Sequence, residues 1–220
     1  MRIDFISDIN CPWCALGVAS FQKALKLMGD RFQYDLHFQP FELNPDMPKE
    51  GRNLVDYLSE KYGMTATRIE ETQQHLRERG EEVEFVFGKR DYIWNTFDAH
   101  RLLYWAELEL GLDVQRKLKL ALLNAYHTES KDPSDKQVLI DIVTDLGLDK
   151  DRAEIILTTD LFANDVRTLE QQWHELGINA VPSIVINREH LIQGAQSVDV
   201  LVGILMRLNK AEASAKKIED

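Results

Sequence analysis

Cysteine is scarce in this chain of 220 residues: there are two, Cys11 and Cys14. So small a number excludes a disulfide-stapled scaffold. No two of the six histidines stand within five residues of each other, so a four-ligand zinc finger has no second half and no metal site is expected. Covalent haem attachment needs a histidine after the second cysteine, and that position is Ala15. Positive charge is also short: 26 Lys and Arg against 37 Asp and Glu give a formal net charge of −11. Such a field repels phosphate backbones and argues against nucleic acid as a partner. No apolar run reaches the ~18 residues that suggest a membrane span. The start, Met1 to Asp8, has an apolar stretch too short for a signal peptide and broken by Asp4, so a cytoplasmic protein is expected. No internal repeat and no Gly/Ser linker divides the chain into independent parts.

What is present begins with a spacing. Cys11-Pro12-Trp13-Cys14 follows a short alternating stretch, with Ile3 and Phe5 on one side, and opens a helical pattern. Cys11 sits where an N-cap belongs, and Pro12 takes the first helical position, where its missing N–H costs nothing. A sulfur at that cap faces the free amides of the first turn and the positive end of the helix dipole, and both favour the thiolate. Cys14, nearly one turn on, can reach the same face. Cys11 is thus the expected nucleophile and Cys14 the thiol that resolves a mixed disulfide. In a reducing cytosol a close cysteine pair is more often catalytic than structural.

Residues 32–38 alternate again, so strand, helix and strand form a βαβ unit with the right-handed crossover such units take. Pro40, Pro45 and Pro48 then interrupt the chain, and helical patterns run for over a hundred residues. Asn53 and Thr65 are caps for two helices, the second ending at Gly80, while residues 82–87 alternate and read as extended. Asn95 or Thr96 starts a helix bearing His100, and Asp132-Pro133-Ser134-Asp135 starts another. Phe162, Val166, Leu169, Trp173 and Leu176 form a stripe spaced four, three, four, three, whose first four members are expected in the core. A β-branched run from Val181 to Asn187 turns through Asn187-Arg188-Glu189 into a second short strand, and a last helix follows.

These residues resemble a known family. The strand, Cys11-Pro12-Trp13-Cys14 at a helix start, the long helical insert and Val181-Pro182 before a strand are similar to the DsbA-type branch of the thioredoxin superfamily. The nearest resemblance is to its FrnE-like cytosolic members, relatives of the 2-hydroxychromene-2-carboxylate isomerases. Softer points of likeness are Asp8 and Asn10, Asn95-Thr96 with Ala99-His100, and Gly194-Ala195-Gln196. The resemblance implies an α/β thioredoxin-like fold, β-α-β … α-β-β-α, with a large all-helical insertion. Residues 1–44 and 160–212 would form the discontinuous thioredoxin-like domain, 45–159 the inserted helical domain, and 213–220 a frayed tail. It also implies a cis Pro182 lying against the cysteine pair, with the Val181 backbone free to pair with an extended substrate peptide.

The activity implied is protein thiol–disulfide exchange. Its partners would be client proteins with thiols or disulfides, or small thiols, and the protein itself could be a dimer. No tightly bound cofactor is expected, and glutathione is a candidate co-substrate. Pro12, Trp13, Val181 and Pro182 are the expected neighbours of the pair, and Asn95 and His100 candidates for the substrate cleft. Lys89 and Arg90 read as solvated, although a basic residue near the cleft would hold an anionic thiol. Two further functions compete. A glutathione-dependent isomerase or transferase of small aromatic substrates fits the wider resemblance, but such relatives often carry Ser at the first position and lack the second thiol. A chaperone-like module gripping unfolded chains is the non-enzymatic alternative.

Overall fold

A computed structural model describes the backbone of residues 1–219 and the side chains through residue 214. Strand β1 (Arg2–Ser7) leads through a short loop into helix α1 (Pro12–Met28), and β2 (Asp35–Pro40) returns parallel to β1. Far along the chain, β5 (Ser183–Ile186) lies antiparallel on the other side of β1, and β6 (His190–Gln193) pairs with β5. The sheet order is therefore β2-β1-β5-β6. Central β1 is buried from Ile3 to Ser7, which explains why its apolar residues are nearly continuous. Pro40 ends β2, an edge strand, where its missing donor breaks no ladder.

The β5–β6 turn is set by local chemistry. Asn187 and Arg188 both have positive φ, 54° and 61°, and the Glu189 N–H donates to the Ile186 carbonyl at 3.1 Å. That is the reversal whose twist matches antiparallel strands.

Between β2 and β5 lie α2 (Leu54–Tyr62), α3 (Ala66–Glu82), α4 (Phe97–Trp105) with a π-helical turn at Ala106–Leu110, α5 (Leu112–His127), α6 (Lys136–Asp145), α7 (Lys150–Thr158) and α8 (Ala163–Glu175). Helix α9 (Val198–Glu219) closes the chain against α1. Caps explain the starts: Asn53 accepts from the Val55 and Asp56 amides, Thr65 from Arg68, Asp135 from Gln137 and Val138, and Asp149 from Arg152.

One apolar cluster runs from the sheet and α1 (Phe5, Phe21, Phe38) into the helices (Leu102, Leu122, Leu139). The Phe5 ring lies 5.7 Å from both Phe21 and Phe38. Each such side chain contributes roughly 1.5–3 kcal/mol by leaving water. A smaller cluster, Met47, Leu54, Ile69 and Ile93, lies under α2 and α3.

The structure departs from the sequence reading in several places. The insert is not purely helical, because β3 (Arg52–Asn53) and β4 (Tyr92–Ile93) form a two-residue antiparallel ladder. β2 begins at Asp35, leaving Phe32 and Tyr34 stacked just ahead of it. Residues 83–87 do alternate in burial but pair with no strand, and Gly80 is not a stop. Helix α3 runs past it, and the Phe85 N–H returns to the Gly80 carbonyl at 2.9 Å. A Cβ at Gly80 would stand 2.4 Å from the Phe85 carbonyl oxygen, so only glycine permits this fold-back. Of that apolar stripe only Val166 is fully buried; Phe162, Leu169 and Trp173 are half-buried, and Leu176 is exposed. The segment expected to fray from residue 213 is helical to Glu219, as its alanine-rich sequence allows, while Asp220 lies outside the described residues.

Candidate active site

Cys11 caps α1. Its Sγ accepts the Cys14 N–H at 3.3 Å, with Pro12 in the first turn. The Cys11 thiol points at the Val181 carbonyl oxygen, 3.8 Å away, and the Val181–Pro182 peptide bond is cis. The Pro182 carbonyl accepts the Gly194 N–H at 2.8 Å, which ties this loop to the β5–β6 hairpin. Gly17 lets α1 lie directly on Pro182: a Cβ there would stand 3.1 Å from Pro182 Cγ. Cys11, Cys14 and Val181-Pro182, about 170 residues apart in sequence, thus meet at one point.

Two environments flank the pair. Behind it lies a sealed polar cluster. Asp8, fully buried, accepts hydrogen bonds from the Thr96 hydroxyl and the Leu43 N–H, each at 2.8 Å, and from the Asn10 N–H at 3.1 Å. Burial pushes the Asp8 carboxyl up, but the facing imidazole of His100, the Leu43 amide and the Thr96 hydroxyl outweigh it and hold it below the ordinary value. His100 Nε2 is 3.7 Å from Asp8 Oδ1, an ion-pair separation rather than a hydrogen bond.

Lys119, on α5, is also fully buried, and its Nζ has no hydrogen-bond partner among the described residues. Burial lowers it to about 8 even though the charges of Cys14, Asp8 and Cys11 oppose the shift. The Cys14 thiol is pushed well above its ordinary value, first by burial and then by the adjacent Cys11 sulfur, with Lys119 opposing. His127 donates from Nε2 to the Ile9 carbonyl at 2.8 Å; burial, then the charge of Arg90, keep its ring neutral far below the ordinary histidine value.

In front of Cys11 lies a partly open cavity of about 270 Å³, mostly apolar, between α1, α2 and α3. Pro12, Trp13 and Arg90 line it together with Cys11. A larger open depression of about 660 Å³ lies between residues 29–36 and 110–116, and neither cysteine lines it. The first cavity is the one that bears on thiol chemistry.

The expected site residues therefore divide. Cys11, Pro12 and Trp13 share the cavity wall, Cys14 lies behind, and Val181-Pro182 abut Cys11. Asn95 and His100 do not reach the wall. Asn95 instead accepts from the Phe97 N–H and donates to the Met47 carbonyl, and His100 sits on the inner face of α4 toward Asp8. Arg90, read as solvated, is only 8% exposed, because the chain after Gly88 tucks it over the Tyr126 ring; Lys89 is exposed as expected. Lys119, His127 and Gly17 had no local signal. A lysine, a histidine and a glycine on helices look the same in sequence whether they face water or a cysteine. Among the described residues no group of three or more His, Cys, Asp or Glu side chains could hold a metal ion, and no helix is long and apolar enough to cross a membrane.

Comparison with known proteins identifies the fold and the family. The probable DsbA oxidoreductase SCO1869 from Streptomyces coelicolor is 28% identical, with a TM-score of 0.85 over 94% of this chain and 89% of that one. A 2-hydroxychromene-2-carboxylate isomerase shares the fold at 14% identity, with a TM-score of 0.76 over 98% of this chain and 99% of that one. So does the cytosolic disulfide reductase DsbM from Pseudomonas aeruginosa, crystallised with GSH, at 14% identity and a TM-score of 0.66 over 96% of this chain and 100% of that one. The model of the DSBA-like thioredoxin domain matches residues 2–206, nearly the whole sequence, and the chain belongs to that family.

Proposed function

We propose that this protein is a thiol–disulfide oxidoreductase of the FrnE-like, cytosolic type, in which Cys11 attacks a substrate disulfide and Cys14 resolves the mixed disulfide. The observation that carries this reading is the placement of Cys11 Sγ. It caps α1, accepts a backbone N–H, faces Val181 beside Pro182 and opens on a cavity. The amide and the helix end stabilise negative charge on that sulfur. Cys14 has no such opening. It is fully buried and held as a thiol, so it is kept from attacking outside molecules until the mixed disulfide brings an electrophilic sulfur to it. Lys119, near its own midpoint at about 8, is suited to take up the Cys14 proton at that moment.

The exchange needs no resident cofactor, since electrons pass between sulfurs. Glutathione, which the DsbM crystals contain, is a candidate partner for resetting the pair. The direction of electron flow depends on the reduction potential, which a glutathione redox buffer measures directly. In an insulin-reduction assay the Cys11→Ser variant is expected to lose activity; activity equal to the unchanged protein rules this reading out.

The mostly apolar cavity, with Trp13, Tyr57 and Tyr62 in its wall, favours a second reading, glutathione-dependent isomerisation of a small aromatic substrate. The buried second thiol has no role in that chemistry. Isomerase activity that survives Cys14→Ala would establish it in place of the first.

A further inference from the structure

The cavity beside Cys11 has an unusual charge content. Arg90 is its one charged wall residue among the described residues, and no acidic side chain joins it there. Arg90 is more than nine-tenths buried, yet no ion pair engages its guanidinium among the described residues. It has one long hydrogen bond, 3.5 Å to the Asn10 carbonyl, and lies 5.4 Å over the Tyr126 ring. None of its guanidinium nitrogens is among the sealed, unpartnered side-chain atoms, so those free of protein partners open on the cavity, where a ligand can meet them, and the planar fork matches a carboxylate. Most of the rest of the wall is apolar or aromatic, including Leu54, Leu58, Met64, Ile69 and Trp13, and its other polar members, such as Asn44 and Gln73, are uncharged. The volume suits a small molecule or a single large side chain rather than a folded surface.

We propose that this cavity binds a low-molecular-weight disulfide carrying an apolar or aromatic group and a carboxylate, the carboxylate held by Arg90 and the apolar group between α2 and α3. The proposal rests on the oxidoreductase reading. Cys11 attacks the nearer sulfur of the bound disulfide. The substrate S–S bond breaks, a mixed disulfide forms and one thiolate leaves. Cys14 then attacks Cys11 Sγ, the internal disulfide closes and the second thiolate leaves. The cysteine pair loses two electrons, the substrate gains them, and the two cysteine protons go to the departing thiolates or to water. Two equivalents of a second low-molecular-weight thiol, acting as reductant, open the internal disulfide, leave as their own disulfide and reset the pair. Because the whole chain carries −11, it repels anions at long range. A preference for an anionic substrate must therefore come from within the cavity.

The test is a single-turnover reaction of the reduced protein with three probes: dithiobis-nitrobenzoate, its uncharged carboxamide analogue, and dithiodiglycolate, which has carboxylates but no apolar body. Each rate is divided by that of free cysteine with the same probe. The expected result is a carboxylate preference of about tenfold or more for the aromatic pair, with dithiodiglycolate slower than dithiobis-nitrobenzoate. Arg90→Gln is expected to erase the ratio between the carboxylate and carboxamide rates, whatever their absolute values, and Arg90→Lys to retain part of it. Equal normalised rates for the carboxylate and carboxamide probes on the unchanged protein, a comparison that needs no variant, overturn the inference. So does an Arg90→Gln protein that keeps the preference. Release of one thiol rather than two, with no internal disulfide formed, instead overturns the oxidoreductase reading itself.

Discussion

The two sides of the cysteine pair are built from opposite materials. Behind Cys14, α1, α4 and α5 seal in Asp8, His100, Lys119 and His127. In front of Cys11, α2 and α3 raise an apolar wall with a single cation. Charge in water is screened and cheap, whereas charge behind the pair is desolvated and shifts the protonation of whatever it touches. In the mechanism proposed above, the back governs when Cys14 gives up its proton, and the front governs what reaches Cys11. One three-residue spacing on one helix separates the two tasks.

Substitutions on either side test this division. The largest effect is expected at Asp8. Asp8→Ala leaves the Thr96 hydroxyl and the Leu43 and Asn10 amides without their acceptor and removes the negative charge that the buried Lys119 feels, at a cost of about 3–5 kcal/mol in urea unfolding. A loss below about 1 kcal/mol would show that the back is not a linked network.

Next comes Lys119→Met, which removes a buried cation with no hydrogen-bond partner and is expected to stabilise the protein by about 3 kcal/mol at pH 7. The sign follows from proton counts. The folded state releases the Lys119 proton near 8 and the unfolded chain near 10.5, so the unfolded state binds more protons between those values and native stability rises there with pH. The advantage of the methionine should shrink over that window. The same variant should slow closure of the internal disulfide in rapid-quench measurements while leaving the first attack on substrate intact.

A third prediction concerns the acidic pair beside the back of the site. Glu42, buried next to Glu170 and Arg167, is raised to about 8 by burial and then by the Glu170 charge, against the pull of Arg167. Here the folded state binds the extra proton, so stability should fall as pH rises from about 4.5 to about 8. Thermal melts across that range should show falling stability in the unchanged protein, and the Glu42 contribution to that slope should vanish in Glu42→Gln.

The smallest effect is expected at Gly17, where both sides meet Pro182. Alanine there gains helix propensity but brings a Cβ to 3.1 Å from Pro182 Cγ. The two effects should leave stability within about 1 kcal/mol of the original. The displaced loop should slow insulin reduction severalfold; an unchanged rate would show that the contact does not position Cys11.

The parts of this architecture that the sequence made legible are those decided over a few residues. Cys11 as cap and Pro12 in the first turn follow from helix-end chemistry, as does the turn at Asn187 and Arg188 from hairpin chemistry. The meeting of Val181-Pro182 with Cys11 was legible only through family resemblance, because strand β5 reaches β1 from across the whole chain. Arg90 and Lys119 were illegible for a deeper reason. Charged side chains are read as solvated by default, and only tertiary packing reveals that the chain after Gly88 lays Arg90 over Tyr126 while α5 turns Lys119 inward. The alternation at residues 82–87 was genuine, with Phe87 buried and Phe85 half-buried beside His127, but alternation reports facing and not the presence of a strand partner.

The most direct test is mass spectrometry of the protein after brief reaction with insulin, comparing Cys14→Ala with Cys11→Ala. A stable insulin adduct on Cys11 of the first variant, and none on the second, is the predicted result. An adduct carried by Cys14, or none on either variant, would contradict the assignment of attack to the capping sulfur and resolution to the buried one.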